Sequence, residues 1–136
     1  MIRWIALLLA ALLLTGCRAR TESVGILPFY PGAEVTASGE HRGTAFGFGP
    51  AVWTRIDLRV RAPYEKVRDF YAGIQPGGWT SSLTNETQKQ TGRRYDRYLT
   101  DARRREFYAI QVREEPDGTI TITLAWARRP GGTATR

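Results

Sequence analysis

Apolar and polar residues alternate along several short stretches of the chain, a period of two that is typical of half-buried strands. From Ala51 to Arg61 the alternation is regular: Ile56, Leu58 and Val60 share one face, and charged residues share the other. Such a strand buries one face and leaves the other in water. We therefore predict a strand over residues 51–61.

A second pair of alternating stretches lies near the carboxyl end of the chain. Phe107 to Glu115 and Thr119 to Ala127 each place every second apolar residue on one face. Between them, Pro116-Asp117-Gly118 has the composition of a tight turn. Two alternating stretches around a turn predict a β-hairpin. The inward residues would be Tyr108, Ile110, Val112, Ile120, Ile122, Leu124 and Trp126.

The period changes between Pro63 and Ile74, where the apolar residues recur at the spacing of a helix. Pro63 suits the first helical position, and Glu65 in the first turn favours the positive end of the helix dipole. Pro76-Gly77-Gly78 would end the helix. The apolar face consists of Val67, Phe70, Tyr71 and Ile74.

The remaining stretches are less regular. We predict short strands over Glu34–Glu40, Trp79–Thr84 and Arg93–Thr100. A mobile loop or hairpin is expected over His41–Pro50, and a polar connection over Asn85–Gly92. Because strands outnumber helices and follow one another after the helix, the pattern predicts an α+β fold. Its antiparallel sheet would have about four to six strands, with one main helix (63–74) packed on one face.

The first residues of the chain differ from all others in being continuously apolar. After Arg3, the run from Trp4 to Leu14 holds no charged residue. Eleven helical residues reach about 16 Å, whereas a bilayer core is about 30 Å thick. The run is therefore too short to span a membrane and matches the apolar region of a signal peptide.

Leu14-Thr15-Gly16-Cys17 follows that run and resembles the lipobox of bacterial lipoproteins. The resemblance covers the first seventeen residues. It implies that a diacylglyceryl group is attached to the Cys17 sulfur, that the signal is cut before Cys17, and that the new amino terminus is acylated. Acyl chains such as palmitate add roughly 0.8 kcal/mol of membrane affinity per buried methylene, so two or three chains give lasting attachment. An ordinary secretory signal with a chance cysteine is the alternative.

The resemblance also implies a location in the cell. The expected location is the cell envelope, with the lipid on Cys17 holding the protein to a membrane. Arg18 stands where an aspartate would resemble the inner-membrane retention signal. The outer membrane is therefore expected where the organism has one.

These features divide the chain into four parts. Residues 1–16 are the expected signal peptide, 17–27 a lipidated N-terminus and tether, 28–128 a single α+β domain, and 129–136 a flexible tail. Tyr30-Pro31-Gly32-Ala33, the alternating strand, the helix with Phe70-Tyr71, and Gly78-Trp79 are similar to small uncharacterised envelope lipoproteins. This second resemblance implies a fold and a neighbourhood but no activity.

The formal net charge is +7, and 18 of the 20 basic residues are arginine. Genome composition is one explanation of the arginine excess. The other is an anionic partner, since guanidinium groups bind phosphate and carboxylate bidentately. We expect that partner to be an envelope polymer or lipid headgroups rather than nucleic acid, which an exported lipoprotein rarely meets. The densest cluster, the candidate anion-binding set, is Arg93, Arg94, Arg97, Arg103, Arg104 and Arg105.

If the strands on either side of Asp101 form a hairpin, these six arginines would crowd one end of it. The alternative is a solvated face that is neutralised by its own carboxylates, Asp96, Asp101 and Glu106.

Candidate catalytic residues are scarce. His41 is the only histidine and Cys17 the only cysteine, which excludes disulfides and metal sites built on clusters of those residues. No serine lies in a nucleophile-elbow motif. We therefore expect no catalytic residues, no metal site and no cofactor.

Three roles remain for the folded part. The first is a non-catalytic binding or assembly module, with an envelope protein as a further candidate partner. The second is an envelope enzyme or enzyme inhibitor using His41, and the third is a carrier with an apolar cavity between sheet and helix. An exposed His41 would argue against the second role, and a filled core around Phe70, Tyr71, Trp79 and Trp126 against the third.

Overall fold

The computed structural model of the protein describes residues 22–44, 50–101, 103 and 105–128. The predicted signal peptide, residues 17–21 of the predicted tether and the predicted tail lie outside these residues. The elements, in chain order, are β1 (Ser23–Val24), β2 (Leu27–Pro28), β3 (Glu34–Thr44), β4 (Pro50–Val60), α1 (Tyr64–Ala72), β5 (Trp79–Lys89), β6 (Gly92–Asp101), β7 (Glu106–Glu114) and β8 (Ile120–Arg128).

The main sheet has six antiparallel strands in the order β3-β4-β8-β7-β6-β5, and β1 and β2 form a separate two-stranded sheet. Strands β5 to β8 form a meander, and β8 pairs with β4 of the β3–β4 hairpin. Between the two units α1 carries the chain from β4 to the far edge of the sheet. The predicted α+β fold, with an antiparallel sheet and one main helix, is confirmed.

The core lies between α1 and the face of the sheet that we call the inner face. Alternate residues of β4, β7 and β8 are buried there, as their period of two predicted. The buried members of the predicted inward sets are Leu58, Val60, Tyr108, Ile110, Val112, Ile120, Ile122 and Leu124. Val67 and Tyr71 contribute the helix side of the same core.

Helix α1 begins directly after Pro63 and ends at Ala72, two residues before the predicted end. Gly73 terminates it in a right-handed conformation, with its N–H donated to Asp69. The glycines of Pro76-Gly77-Gly78 therefore lie beyond the helix rather than at its end. Tyr64 is a third buried helix residue, and periodicity alone did not place it in the apolar set.

The segment before β3 is part of the fold, which corrects the predicted tether boundary at residue 27. Val24 is 4% exposed and Leu27 is fully buried in the main core. The backbone N–H of Ile26 donates to Tyr108 Oη at 3.1 Å, and Tyr71 Oη donates to the carbonyl of Pro28. Both tyrosines lie far along the chain from residues 22–28. The local sequence of this segment therefore did not indicate that it packs against the rest of the domain.

Both edge strands are longer than predicted. β3 extends through Thr44, into the segment 41–50 for which a mobile loop or hairpin was predicted, and pairs there with β4, so the hairpin alternative is confirmed. β5 extends through Lys89, into the predicted polar connection. Nearly every residue of these two strands is exposed. Edge strands are commonly polar because a charged edge discourages pairing with other chains. The polar composition of residues 85–89 was therefore mistaken for a connection between strands.

The opposite, outer face of the sheet carries no helix among the described residues. One half of it is a small cluster of Ala51, Phe107, Ala109, Ala125 and Ala127, with Trp53 and Tyr98 packed alongside. The other half is polar. In the described part of the chain, no helix is both long and apolar enough to cross a membrane.

Candidate anion-binding surfaces

The six candidate arginines do not gather at one place. Arg94 pairs with Arg113 at one end of the β6–β7 hairpin, whereas Thr100 pairs with Phe107 near the other. Six residues of strand separate these rungs by about 20 Å. The predicted crowding of all six at one hairpin end is therefore wrong. Arg104 lies outside the described residues.

Arg97 is buried on the inner face and caps the helix. Only 5% of it is exposed. Its Nη1 donates to the carbonyls of Tyr71 (2.9 Å), Ala72 (3.1 Å) and Ile74, and its Nη2 donates to Gln75 Oε1 (2.8 Å). The last turn of α1 holds no basic residue of its own. Arg97 therefore supplies the positive charge that a helix C-terminus favours, and it is not available to a ligand.

Arg93 lies on the same face and joins three elements. Its guanidinium forms ion pairs with Glu114 of β7 at 2.8 Å and with Glu65 of α1. It also stacks over the ring of Tyr64, 4.5 Å from the centroid. The hydrogen bond from Arg93 is the main reason that the pKa of Glu114 lies below its usual range. For Glu65 the main cause of the lowered pKa is its own backbone N–H, followed by Arg93.

We expect these two carboxylates to make the fold sensitive to acid. Their pKa values are lowered from 4.5 in the folded chain. The unfolded state therefore takes up protons first, and stability present above pH 4.5 is lost as the pH falls through the folded pKa. Urea unfolding at neutral pH and in steps below pH 4.5 measures this loss. Arg93→Gln should reduce it, and an equal acid dependence in that variant would contradict the assignment to Arg93.

Arg94 points to the outer face, where it is paired within its own strand. Its Nε lies 2.8 Å from Asp96. The same arrangement, an arginine two residues before a carboxylate, recurs in β4 and at the end of β7, as Arg55–Asp57 and Arg113–Glu115. Residues two apart in a strand share a face, so these pairs neutralise the polar half of the outer face from within. Of these three pairs, only Arg94–Asp96 joins an arginine of the candidate set to one of the carboxylates expected to neutralise it.

Arg103 and Arg105 lie in the turn between β6 and β7 and are exposed. Asp101 Oδ1 accepts the backbone N–H groups of Arg105 (2.7 Å) and Glu106 (3.2 Å), which shapes the turn. Among the described residues, neither Arg103 nor Arg105 forms an ion pair.

Sequence reasoning missed Arg128, which lies at the same end of the sheet. It is opposite Glu106 in the β7–β8 ladder, with 3.5 Å between Nε and the carboxylate. Its guanidinium covers the ring of Trp126 at 3.9 Å, and its side chain is 62% exposed. Arg128 is far from the β6–β7 turn in the sequence, and only the register of the last hairpin brings it next to that turn. It could therefore not be recognised from the local sequence.

His41 lies in the edge strand β3 rather than in the predicted loop. It is exposed and stacks on Trp53 with 4.4 Å between ring centroids. Asp57 lines the same shallow cleft, but its Oδ1 accepts from Arg55 and from Thr123 Oγ1. No hydrogen bond between His41 and a carboxylate is present among the described residues. The described residues also contain no group of three or more His, Cys, Asp or Glu that could hold a metal ion.

The space between sheet and helix is filled by aromatic rings. Tyr71 is fully buried and lies 5.0 Å from Phe70, and Tyr108 lies between Trp79 at 5.0 Å and Trp126 at 6.1 Å. Two clefts of the described residues are open to solvent instead of enclosed. One of about 670 Å³ lies along the β5–β6 turn, and one of about 560 Å³ lies between the Tyr30-Pro31-Gly32 turn and Asp117. The filled core argues against an apolar-ligand carrier.

The chain was also compared with known proteins. No protein family, no curated protein and no solved structure matches it.

Proposed function

We propose that the chain is a cell-envelope lipoprotein, held to a membrane by lipid on Cys17, whose folded part is a non-catalytic binding or assembly module. The observation that carries this proposal is the sequence Leu14-Thr15-Gly16-Cys17 directly after an apolar run too short to span a bilayer. In a cell with two membranes we assign the anchor to the outer one, because Arg18 replaces the aspartate of a retention signal.

The short distance in sequence between Cys17 and the first core residues supports this proposal. Val24 and Leu27 are core residues, so only a few residues separate Cys17 from the folded part. A lipid on Cys17 would therefore hold the domain itself close to the membrane rather than on a long linker. The non-catalytic half of the proposal is supported by His41, which is exposed and stacked on Trp53.

Cys17→Ala is expected to release the protein from membranes, because it removes the thiol that accepts the lipid. The measurement is fractionation of cells into membrane and soluble parts, followed by mass analysis of the N-terminal peptide. Arg20→Ala is the matched control, since it changes a neighbouring residue outside the lipobox and should leave the protein in the membrane fraction. A Cys17→Ala protein that stays in the membrane fraction without lipid would refute the proposal.

A further inference from the structure

The two edge strands of the main sheet differ in what protects them from pairing with other chains. β3 contains three charged residues, and the backbone at its Gly43 has a φ of 133°. Charged side chains and irregular backbone are common means of keeping an edge strand unpaired. β5 contains no glycine or proline, and its charged residues are Glu86 and Lys89. From Trp79 to Asn85, its edge carries no charge at all.

The edge of β5 is also left uncovered by the described part of the chain. α1 packs over β7 and β6, and its hydrogen bonds to β5 end on Glu86. The Glu86 carboxylate accepts from Arg68 at 3.0 Å and from Tyr64 at 3.2 Å. Among the described residues, the backbone of Thr80–Lys89 has no backbone hydrogen bond outside the sheet. Its outward N–H and C=O groups are therefore available to a further strand.

A bulge near the start of β5 limits where a further strand could pair. The register with β6 shifts between Ser81 and Leu83 and is regular from Leu83 to Lys89. Leu83 is 51% exposed, and with Tyr98 and Phe107 it lines a cleft of about 440 Å³ on the outer face. A strand added beyond β5 would therefore meet a regular edge from Leu83 onward and would cover this apolar side chain.

A second copy of the chain presents the same weakly charged edge. In an antiparallel pair of identical strands, one residue can lie opposite its own copy. If that residue were Glu86, two carboxylates would face each other, which destabilises a pair of strands. If it is Asn85, Glu86 lies opposite Thr84, Leu83 lies opposite Thr87, and the bulge stays outside the ladder. The two Asn85 amides, which carry both donors and acceptors, can then hydrogen-bond each other.

The position of the anchor agrees with this register. Leu27 lies in the core between α1 and the inner face, so the chain enters the domain on the inner side of the sheet. Residues that lie opposite each other in a sheet point to the same face, so matching Asn85 with Asn85 keeps both inner faces on one side. Both Cys17 lipids can then reach the same membrane. A register shifted by one residue would turn the two anchors to opposite sides.

We propose that two copies of the chain pair edge to edge through β5, antiparallel and with Asn85 opposite Asn85, so that their six-stranded sheets form one continuous sheet. The inference rests on the proposed function, since it names the partner of an anchored assembly module. The contact of two strand edges is small beside the roughly 1,200 Å² of a stable interface. Anchors that confine both copies to one membrane raise their effective concentration, so the pairing is expected on membranes rather than in dilute solution.

The first test is disulfide crosslinking of the full lipidated chain in vesicles that hold no other protein. The lipid on Cys17 leaves no other thiol. Asn85→Cys should form a dimer under mild oxidation, because opposite Cα atoms lie about 4.5–5.5 Å apart, within the range of a disulfide. Leu83→Cys or Thr87→Cys alone should give little dimer, since each would lie about 13 Å along the strands from its own copy. A mixture of Leu83→Cys and Thr87→Cys chains should crosslink.

The second test uses charge in the same crosslinking assay. Asn85→Lys, added to both the Leu83→Cys and the Thr87→Cys chain, sets like charges opposite each other and should lower the yield of dimer on the order of fivefold. Ala37→Lys adds the same charge to an exposed position of the other edge strand and should leave the yield unchanged. The side chain of Asn85 is exposed, so the melting temperature of the Asn85→Lys variant should stay close to that of the parent chain.

If Asn85→Cys gives no dimer in these vesicles, or if all three single variants give equal amounts, the pairing of two copies is overturned while the anchor stands. The same conclusion holds if Asn85→Cys captures only another protein in cells. A chain that carries no lipid on Cys17 would refute the proposed function instead. Mass analysis of the N-terminal peptide shows this directly, and the chain without an introduced cysteine would then form dimers through Cys17.

Discussion

Arg97→Met is expected to lower the free energy of unfolding by about 3–4 kcal/mol, because the buried guanidinium donates to the last carbonyls of α1. Methionine fills a similar volume but has no donor. The carbonyl of Tyr71, whose bond to Arg97 is buried, would lose this donor, as would the part-buried carbonyls of Ala72 and Ile74. An unsatisfied buried acceptor costs about 1–3 kcal/mol. Urea unfolding followed by circular dichroism measures the loss.

Arg94 provides the matched control for this substitution. It lies in the same strand, three residues before Arg97, but points to the outer face and is exposed. Arg94→Met removes one ion pair between an exposed guanidinium and a mostly buried carboxylate. We therefore expect a loss above that of a surface pair, which is at most about 1 kcal/mol, but below that of Arg97→Met. Arg97→Lys retains the charge but not the planar fork, so we expect it to fall between the two. Equal losses for Arg97→Met and Arg94→Met would show that the helix cap contributes little.

Gly92→Ala is expected to destabilise the β5–β6 hairpin by about 3 kcal/mol, through strain and collision together. The backbone at Gly92 has a φ of 118°, which residues with a side chain rarely adopt. A Cβ at this position would also lie 2.5 Å from the carbonyl oxygen of Glu114, a backbone atom that cannot rotate away. The free energy of unfolding and the melting temperature both report the effect.

Gly118 separates the two causes. Its φ is 80°, but a Cβ there would have no atom within 4 Å. Gly118→Ala should therefore cost only the conformational penalty, about 1 kcal/mol. If Gly92→Ala were no more destabilising than Gly118→Ala, the close approach of Glu114 would have no energetic consequence.

The predictability of each strand follows from its position in the sheet. β4, β7 and β8 are central strands, and core packing on their inner face produces the period of two from which they were predicted. β3 and β5 are edges and bury very little, so their sequences carry polar residues where a loop would also carry them. A period of two appears only in strands that bury one face. Strands that bury neither face cannot be predicted from it.

The candidate site was harder to predict because arginines with different roles look alike in sequence. Arg93, Arg94 and Arg97 lie within five residues of one another. The alternation of β6 turns Arg94 outward and the other two inward. Whether an inward arginine is a surface charge or a helix cap depends on where α1 ends, more than twenty residues earlier. The local sequence around Arg97 does not indicate that the end of α1 lies next to it.

By itself, the sequence determined the class of fold, the one main helix and the inward faces of the central strands, because these follow from local periodicity and turn residues. The lipid anchor on Cys17 is also read from sequence and stays a prediction. Only the tertiary structure decided that residues 22–28 belong to the fold, that Arg97 is buried, and that Arg128 joins Arg103 and Arg105 at one end. Each of these depends on contacts between distant parts of the chain, and burial and charge pairing are properties of those contacts rather than of local sequence.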